Sequence, residues 1–157
     1  MGIGNEGEHV RGWIIRIGII AVIAIGAFVL RDRLSSSAGD LAVGDCFDEP
    51  TAAAETVEDV QHQPCTEAHD NEVMVVTEHP AAKDAPYPSD EDMEAFVDEK
   101  CVSVYQAYSG RDPATESEIG LAWYVPTDEG WKDGTRKVIC YLFRNDGSKM
   151  TASLKAP

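Results

Sequence analysis

The chain has 157 residues, with 28 Asp plus Glu against 13 Lys plus Arg and a net charge of -15 at pH 7. That length allows about one domain, and a surface this acidic repels phosphate backbones, which argues against nucleic acid as a partner and leaves solubility as the ordinary role of the charge. Before Leu34 the acidic residues are Glu6, Glu8 and Asp32 alone, so the acidic excess lies in the C-terminal part.

Residues 1–12 read as a short cytoplasmic tail. From Trp13 to Leu30 the run WIIRIGIIAVIAIGAFVL is apolar except for Arg16. As a helix it reaches about 27 Å at 1.5 Å per residue, against a hydrocarbon thickness of about 30 Å, which predicts a single transmembrane helix over 13–30. Arg16 can snorkel to the headgroups and Trp13 suits the interface. Arg11 and Arg16 on one flank balance Arg31 and Arg33 on the other, so flanking charge sets no direction. A cleaved signal peptide is the competing reading, with Ser36-Ser37-Ala38 near a cut; Arg31-Asp32-Arg33 between apolar core and cut speaks against it. A helix buried on one side in a small soluble domain would show a polar face, and none is present. Residues 31–40 are small and polar, as in a linker, which leaves 41–157 as the folded domain.

Cys46, Cys65, Cys101 and Cys140 all lie beyond the apolar run. Four well-separated cysteines in a small exported domain read as a disulfide framework with three possible connectivities, and no C-x-x-C pair supports a zinc ribbon or a redox motif. Disulfides need an oxidising compartment, which predicts the N-terminus inside and the C-terminal domain outside the cell membrane.

Within the domain, Val57–Val60 is a weak strand candidate and Asn71–Glu78 a stronger one, rich in β-branched residues. Pro80, Pro86 and Pro88 make 80–89 a loop. From Ser89 the period becomes helical, with Met93, Phe96, Val97, Cys101, Val104, Tyr105 and Tyr108 on one stripe. Ser89 is the expected N-cap, Asp90, Glu91 and Asp92 suit the positive end of the dipole, and Gly110 is the expected stop. The acidic cluster lacks the spacing of an EF-hand calcium loop. Strands are expected at Ile119–Val125, Lys137–Arg144 and Met150–Leu154, with a loop over 126–134 and a turn at Asn145–Ser148. Both faces of Val138–Phe143 are apolar, which predicts a central strand covered on both sides. The fold class is therefore α+β: a small, mainly antiparallel sheet with one principal amphipathic helix and two disulfides. A bond from helical Cys101 to strand Cys140 is geometrically natural and leaves Cys46 to pair with Cys65.

His62, Cys65, His69, Asp70, Glu72 and His79 are the residue types that bind zinc, but a Cys65 held in a disulfide has no thiolate to offer, and no metal or other cofactor is expected. His69-Asp70 lacks any accompanying nucleophile motif, so no catalytic residue is expected. Trp123, Tyr124 and Trp131 flank the 126–134 loop and suit either an aromatic binding surface or core packing.

The segments Val43-Gly44-Asp45-Cys46-Phe47, Val60, Pro64-Cys65, His69-Asp70, Glu72-Val73, Cys101 and Trp131-x-x-Gly134-x-Arg136-x-x-x-Cys140 together resemble the actinobacterial septum formation-related domain. The likeness covers most of residues 41–157. Met150–Leu154 resembles the family's ending, with Ala152 where a glycine is usual. The resemblance implies an envelope protein linked to cell division, with paired cysteines and no catalytic residues to carry over. The expectation is thus a single-pass, extracytoplasmic, non-catalytic module that binds an envelope protein or a cell-wall component. The alternative is a metal-dependent or hydrolytic envelope enzyme using His62, His69 and Asp70.

Overall fold

The computed structural model describes residues 35–50, 57 and 59–157. The expected tail, the span at 13–30 and the first linker residues lie outside the described residues. Among those described, no helix is long and apolar enough to cross a membrane.

Six strands, β1 (Ser35–Ser37), β2 (Cys46–Asp48), β3 (Asp59–Gln63), β4 (Asn71–Glu78), β5 (Ile119–Tyr124) and β6 (Lys137–Arg144), form one sheet in the order β1-β3-β2-β4-β6-β5. Every pairing from β3 across to β5 is antiparallel. The doubly apolar run in β6 has the predicted cause. The strand lies between β4 and β5, with Val138, Cys140 and Leu142 in the helix-side core and Ile139 and Tyr141 in the core on the opposite face. β4 carries a bulge: Val73 faces Tyr141 and Val75 faces Cys140, so Met74 is an extra residue. The bulge sends both Met74 and Val75 to the helix side while Val73 and Val76 stay on the other.

The helix follows the sequence pattern closely. α1 (Asp90–Val97), a π-type turn (Asp98–Val102) and α2 (Ser103–Ser109) run on through right-handed dihedrals. The Ser89 hydroxyl accepts from the Asp92 amide at 3.2 Å, and Gly110, at φ 70°, ends the helix in the left-handed conformation that glycine adopts without strain. Met93, Phe96, Val97, Cys101, Tyr105 and Tyr108 are buried, and Val104 half-buried, against the sheet. Cys101 pairs with Cys140 and Cys46 with Cys65, at Cα separations of 6.0 and 5.3 Å.

Four expectations need correction. The fold begins before residue 41: Ser35–Ser37 is strand β1 of the sheet, and Ala38 is buried with Ile139 and Tyr141 in the core, so 35–40 is not linker. Met150–Leu154 does not form a strand: Met150 makes one bridge with His69, and the backbone beyond it turns its Leu154 amide to the Glu72 side chain. The 126–134 segment contains a short helix, α3 (Asp128–Lys132), because the Thr127 hydroxyl caps the Gly130 amide at 3.0 Å. The weak strand placed at Val57–Val60 lies further on, at Asp59–Gln63, where it pairs with β2.

Candidate functional site

The three aromatic residues flanking the 126–134 loop fall into three environments. Along β5, Ile119 and Leu121 pack into the helix-side core while Ala122 and Tyr124 pack on the opposite face. By that alternation Trp123 and Tyr124 point to opposite sides of the sheet. Trp123 is 39% exposed, whereas Tyr124 stacks beside Phe47 and Tyr141, its phenol raised well above its ordinary pKa by burial.

Trp131 is only 2% exposed and contributes to the core, not to a surface. Its indole N–H donates to the Ala85 carbonyl at 2.8 Å, and His79 and Tyr87 pack edge-on or tilted against its ring. The Arg136 guanidinium lies 3.6 Å from the ring centroid. It donates to five carbonyls: Trp131, Thr135, Ala82 and Lys83 at 2.8 Å and Ala81 at 3.3 Å. A delocalised planar cation can be buried among carbonyls in this way because its donors fan out in one plane. Gly134, at φ 97°, completes the arrangement, since a Cβ there would come within 2.9 Å of the Lys83 side chain. The Trp-x-x-Gly-x-Arg spacing is thus one device that pins the proline-rich 80–89 loop. Burial, then the Arg136 charge, lowers the pKa of the neighbouring His79, whose Nδ1 accepts from the Ala81 amide at 3.2 Å.

Beside Tyr124, where β5 gives way to the start of α3, lies an open cavity of about 490 Å³. Val125 and Ile139 supply apolar walls, and Thr127, Thr135, Asp59 and Lys137 supply polar groups. The Lys137 ammonium at its edge donates to the Gly39 carbonyl at 2.6 Å. Among the described residues the lining holds hydroxyls but neither histidine nor cysteine. Apolar walls with a few convergent polar groups are the make-up of a ligand pocket.

His62, His69 and Asp70 are not gathered into one site. His62 sits on β3 with Nδ1 3.9 Å from an Asp45 carboxylate oxygen. Asp70 accepts from the Glu49 amide at 3.0 Å and from the Lys149 ammonium at 3.1 Å, and Lys149 also reaches Asp48 at 2.6 Å. His69 is fully buried. The group that the fold does assemble, among the described residues, is Cys46, His69 and Glu72, whose potential ligand atoms all lie within 4.8 Å of one another. The signal for it was non-local: the β2–β4 register sets Cys46 opposite Glu72, and His69 leads directly into β4.

Glu72 is buried but well satisfied. Its carboxylate accepts from the Tyr108 and Ser153 hydroxyls, each at 2.7 Å, and from the Leu154 amide at 2.6 Å. Burial, reinforced by this carboxylate, pushes the Tyr108 phenol far above its usual pKa. Helix α2, strand β4 and the C-terminal segment therefore meet at one side chain. With Cys46 bonded to Cys65, the group has no thiolate to offer a metal in this oxidised state.

No curated protein and no solved structure matches the chain. A family model described as septum formation matches residues 31–140 of the 157, a stretch that contains all four cysteines and the Trp131, Gly134 and Arg136 device. The chain belongs to the septum formation family.

Proposed function

We propose that this chain is a membrane-anchored, extracytoplasmic, non-catalytic module of the bacterial cell envelope, acting in septum formation by binding an envelope protein or a cell-wall component. The family match carries the septation part of this reading. Two disulfides within one small domain favour an oxidising compartment, hence the outer side of the membrane. The apolar run at 13–30 supplies the anchor.

Recognition is favoured over catalysis because the open cavity beside Tyr124 has apolar walls and a few convergent polar groups, the make-up of a binding site. Trp123, exposed on edge strand β5, is a second contact. The test joins capture to genetics. The full chain, solubilised and immobilised, should retain a specific envelope protein or cell-wall fragment, and a charge placed in the cavity, as in Thr135→Glu, should reduce that retention. Deletion should disturb septation. Normal septation after deletion, with nothing retained by the wild-type chain, would remove the support for this reading.

A further inference from the structure

We propose that the Cys46–Cys65 disulfide masks a metal site: once it is reduced, the Cys46 and Cys65 thiolates, His69 and Glu72 form a four-ligand set for a zinc-class divalent ion. The geometry is already close. Ligand atoms of Cys46, His69 and Glu72 lie within 4.8 Å of one another, whereas the edges of a tetrahedron with metal bonds of 2.0–2.3 Å measure roughly 3.3–3.8 Å. Shifts of about 1 Å would bring these three ligand atoms onto an ion of this class, and the Cys65 thiolate, released from Cys46, is the fourth ligand.

His69 is the independent observation. Its Nδ1 lies 2.7 Å from the Glu67 carbonyl, a contact between ring nitrogen and acceptor that places the proton on Nδ1. Nε2 is left with a lone pair, fully buried and without a hydrogen-bond partner. An unpaired buried acceptor costs about 1–3 kcal/mol and is uncommon. A histidine that donates one ring N–H to a backbone carbonyl and keeps the other nitrogen bare has the arrangement typical of a metal ligand. Glu72 is oriented in the same manner, by Tyr108, Ser153 and Leu154.

Cys65 provides the entry. It is half-buried on the turn closed by the Glu67 amide to Pro64 carbonyl bond, while Cys46 is buried. A dithiol reductant attacks at Cys65, and its second thiol resolves the mixed disulfide. Two electrons pass to the Cys46–Cys65 bond, the reductant leaves as a cyclic disulfide, and both cysteines become thiols. The incoming divalent ion then displaces the two thiol protons to solvent.

Cobalt(II) titration of the purified full chain tests this, with a phosphine reductant to avoid competing thiols. The reduced chain should bind one cobalt with a sulfur-to-cobalt charge-transfer band and tetrahedral visible bands; the oxidised chain should show neither. Cys65→Ser frees Cys46 without reductant and leaves Cys101–Cys140 intact, so it should bind with one thiolate even if reduction unfolds the wild type. Loss of an outer-shell partner alone costs about 10–100-fold in affinity, so His69→Ala should weaken binding by at least about 100-fold. Glu72→Gln, whose fold is checked by circular dichroism, replaces His69→Ala if that variant unfolds. Absence of stoichiometric cobalt in both the reduced and the Cys65→Ser chains would overturn the proposal. So would equal binding by the oxidised chain, or binding indifferent to loss of the ligand residue.

Discussion

Replacing Arg136 tests whether one buried cation holds the 80–89 loop on the core. In Arg136→Ala the Trp131 carbonyl loses a buried bond, worth about 1–3 kcal/mol when left unsatisfied. The Ala81, Ala82, Lys83 and Thr135 carbonyls lie in part-buried bonds and regain water, so each is assigned roughly 0.5 kcal/mol. Loss of the guanidinium stacked at 3.6 Å on Trp131 adds about 0.5–1 kcal/mol. The total is about 3.5–6 kcal/mol, a large part of a stability of about 5–15 kcal/mol for a domain of this kind. Arg136→Lys keeps the charge but satisfies one or two carbonyls in place of five, and should cost about 2–3 kcal/mol. Urea unfolding followed by tryptophan fluorescence measures both variants, and trypsin cleavage at Lys83 reports the loop separately. Cleavage should accelerate in Arg136→Lys more than the global loss explains. A lysine variant within about 1 kcal/mol of wild type, with unchanged cleavage, would refute the claim that the planar fork is what pins the loop.

Removing the Cys101–Cys140 bond as a double serine variant should cost about 4 kcal/mol, from a loop of 39 residues in the chain-entropy account, and removing Cys46–Cys65 about 3 kcal/mol from a loop of 19; equilibrium unfolding without reductant checks the order. Glu72→Gln turns one accepting oxygen into a donor that must face a hydroxyl or the Leu154 amide, so about 1–3 kcal/mol should be lost and residues 150–157 should exchange amide hydrogens faster. Arg111, followed by the Glu118 amide, lowers the Glu116 pKa from 4.5 to about 2. A depressed carboxylate pKa stabilises the fold above the unfolded value, so this contribution is complete above about pH 4.5 and is lost as pH falls through about 2; Glu116→Gln should flatten the stability profile across that window.

The elements legible in the sequence are those with a local cause. Ser89, the 93–108 stripe and Gly110 specify a helix without reference to the rest of the chain, and the two-sided apolarity of Val138–Phe143 reports a neighbour on each face. Cys101 and Cys140 could be paired because each lay on an element whose buried face was already known. What stayed hidden depends on contacts distant in sequence. β2 is three residues long and has no pattern of its own; its pairing with both β3 and β4 makes it a strand. Met150–Leu154 has strand-like composition, but its Ser153 hydroxyl and Leu154 amide are taken by Glu72, a partner 81 and 82 residues away. The sequence leaves Trp131 between a binding surface and the core; Arg136 stacked over its ring and the Ala85 carbonyl on its N–H, contacts not visible locally, draw it inside. His69 and Glu72 stand together among the zinc-type residues of the sequence, with Cys65; what the sheet adds is Cys46, set opposite Glu72 by the β2–β4 register.

The central claim, an exported domain stapled by two disulfides, is tested most directly by labelling cysteines in intact cells with a membrane-impermeant maleimide, with and without a reductant. The account predicts no labelling of Cys46, Cys65, Cys101 or Cys140 in untreated cells, and labelling after reduction and mild denaturation while the cells remain intact. Thiols that react without reductant would contradict the disulfides, and thiols that become reachable only after the cells are broken would contradict the placement outside the membrane.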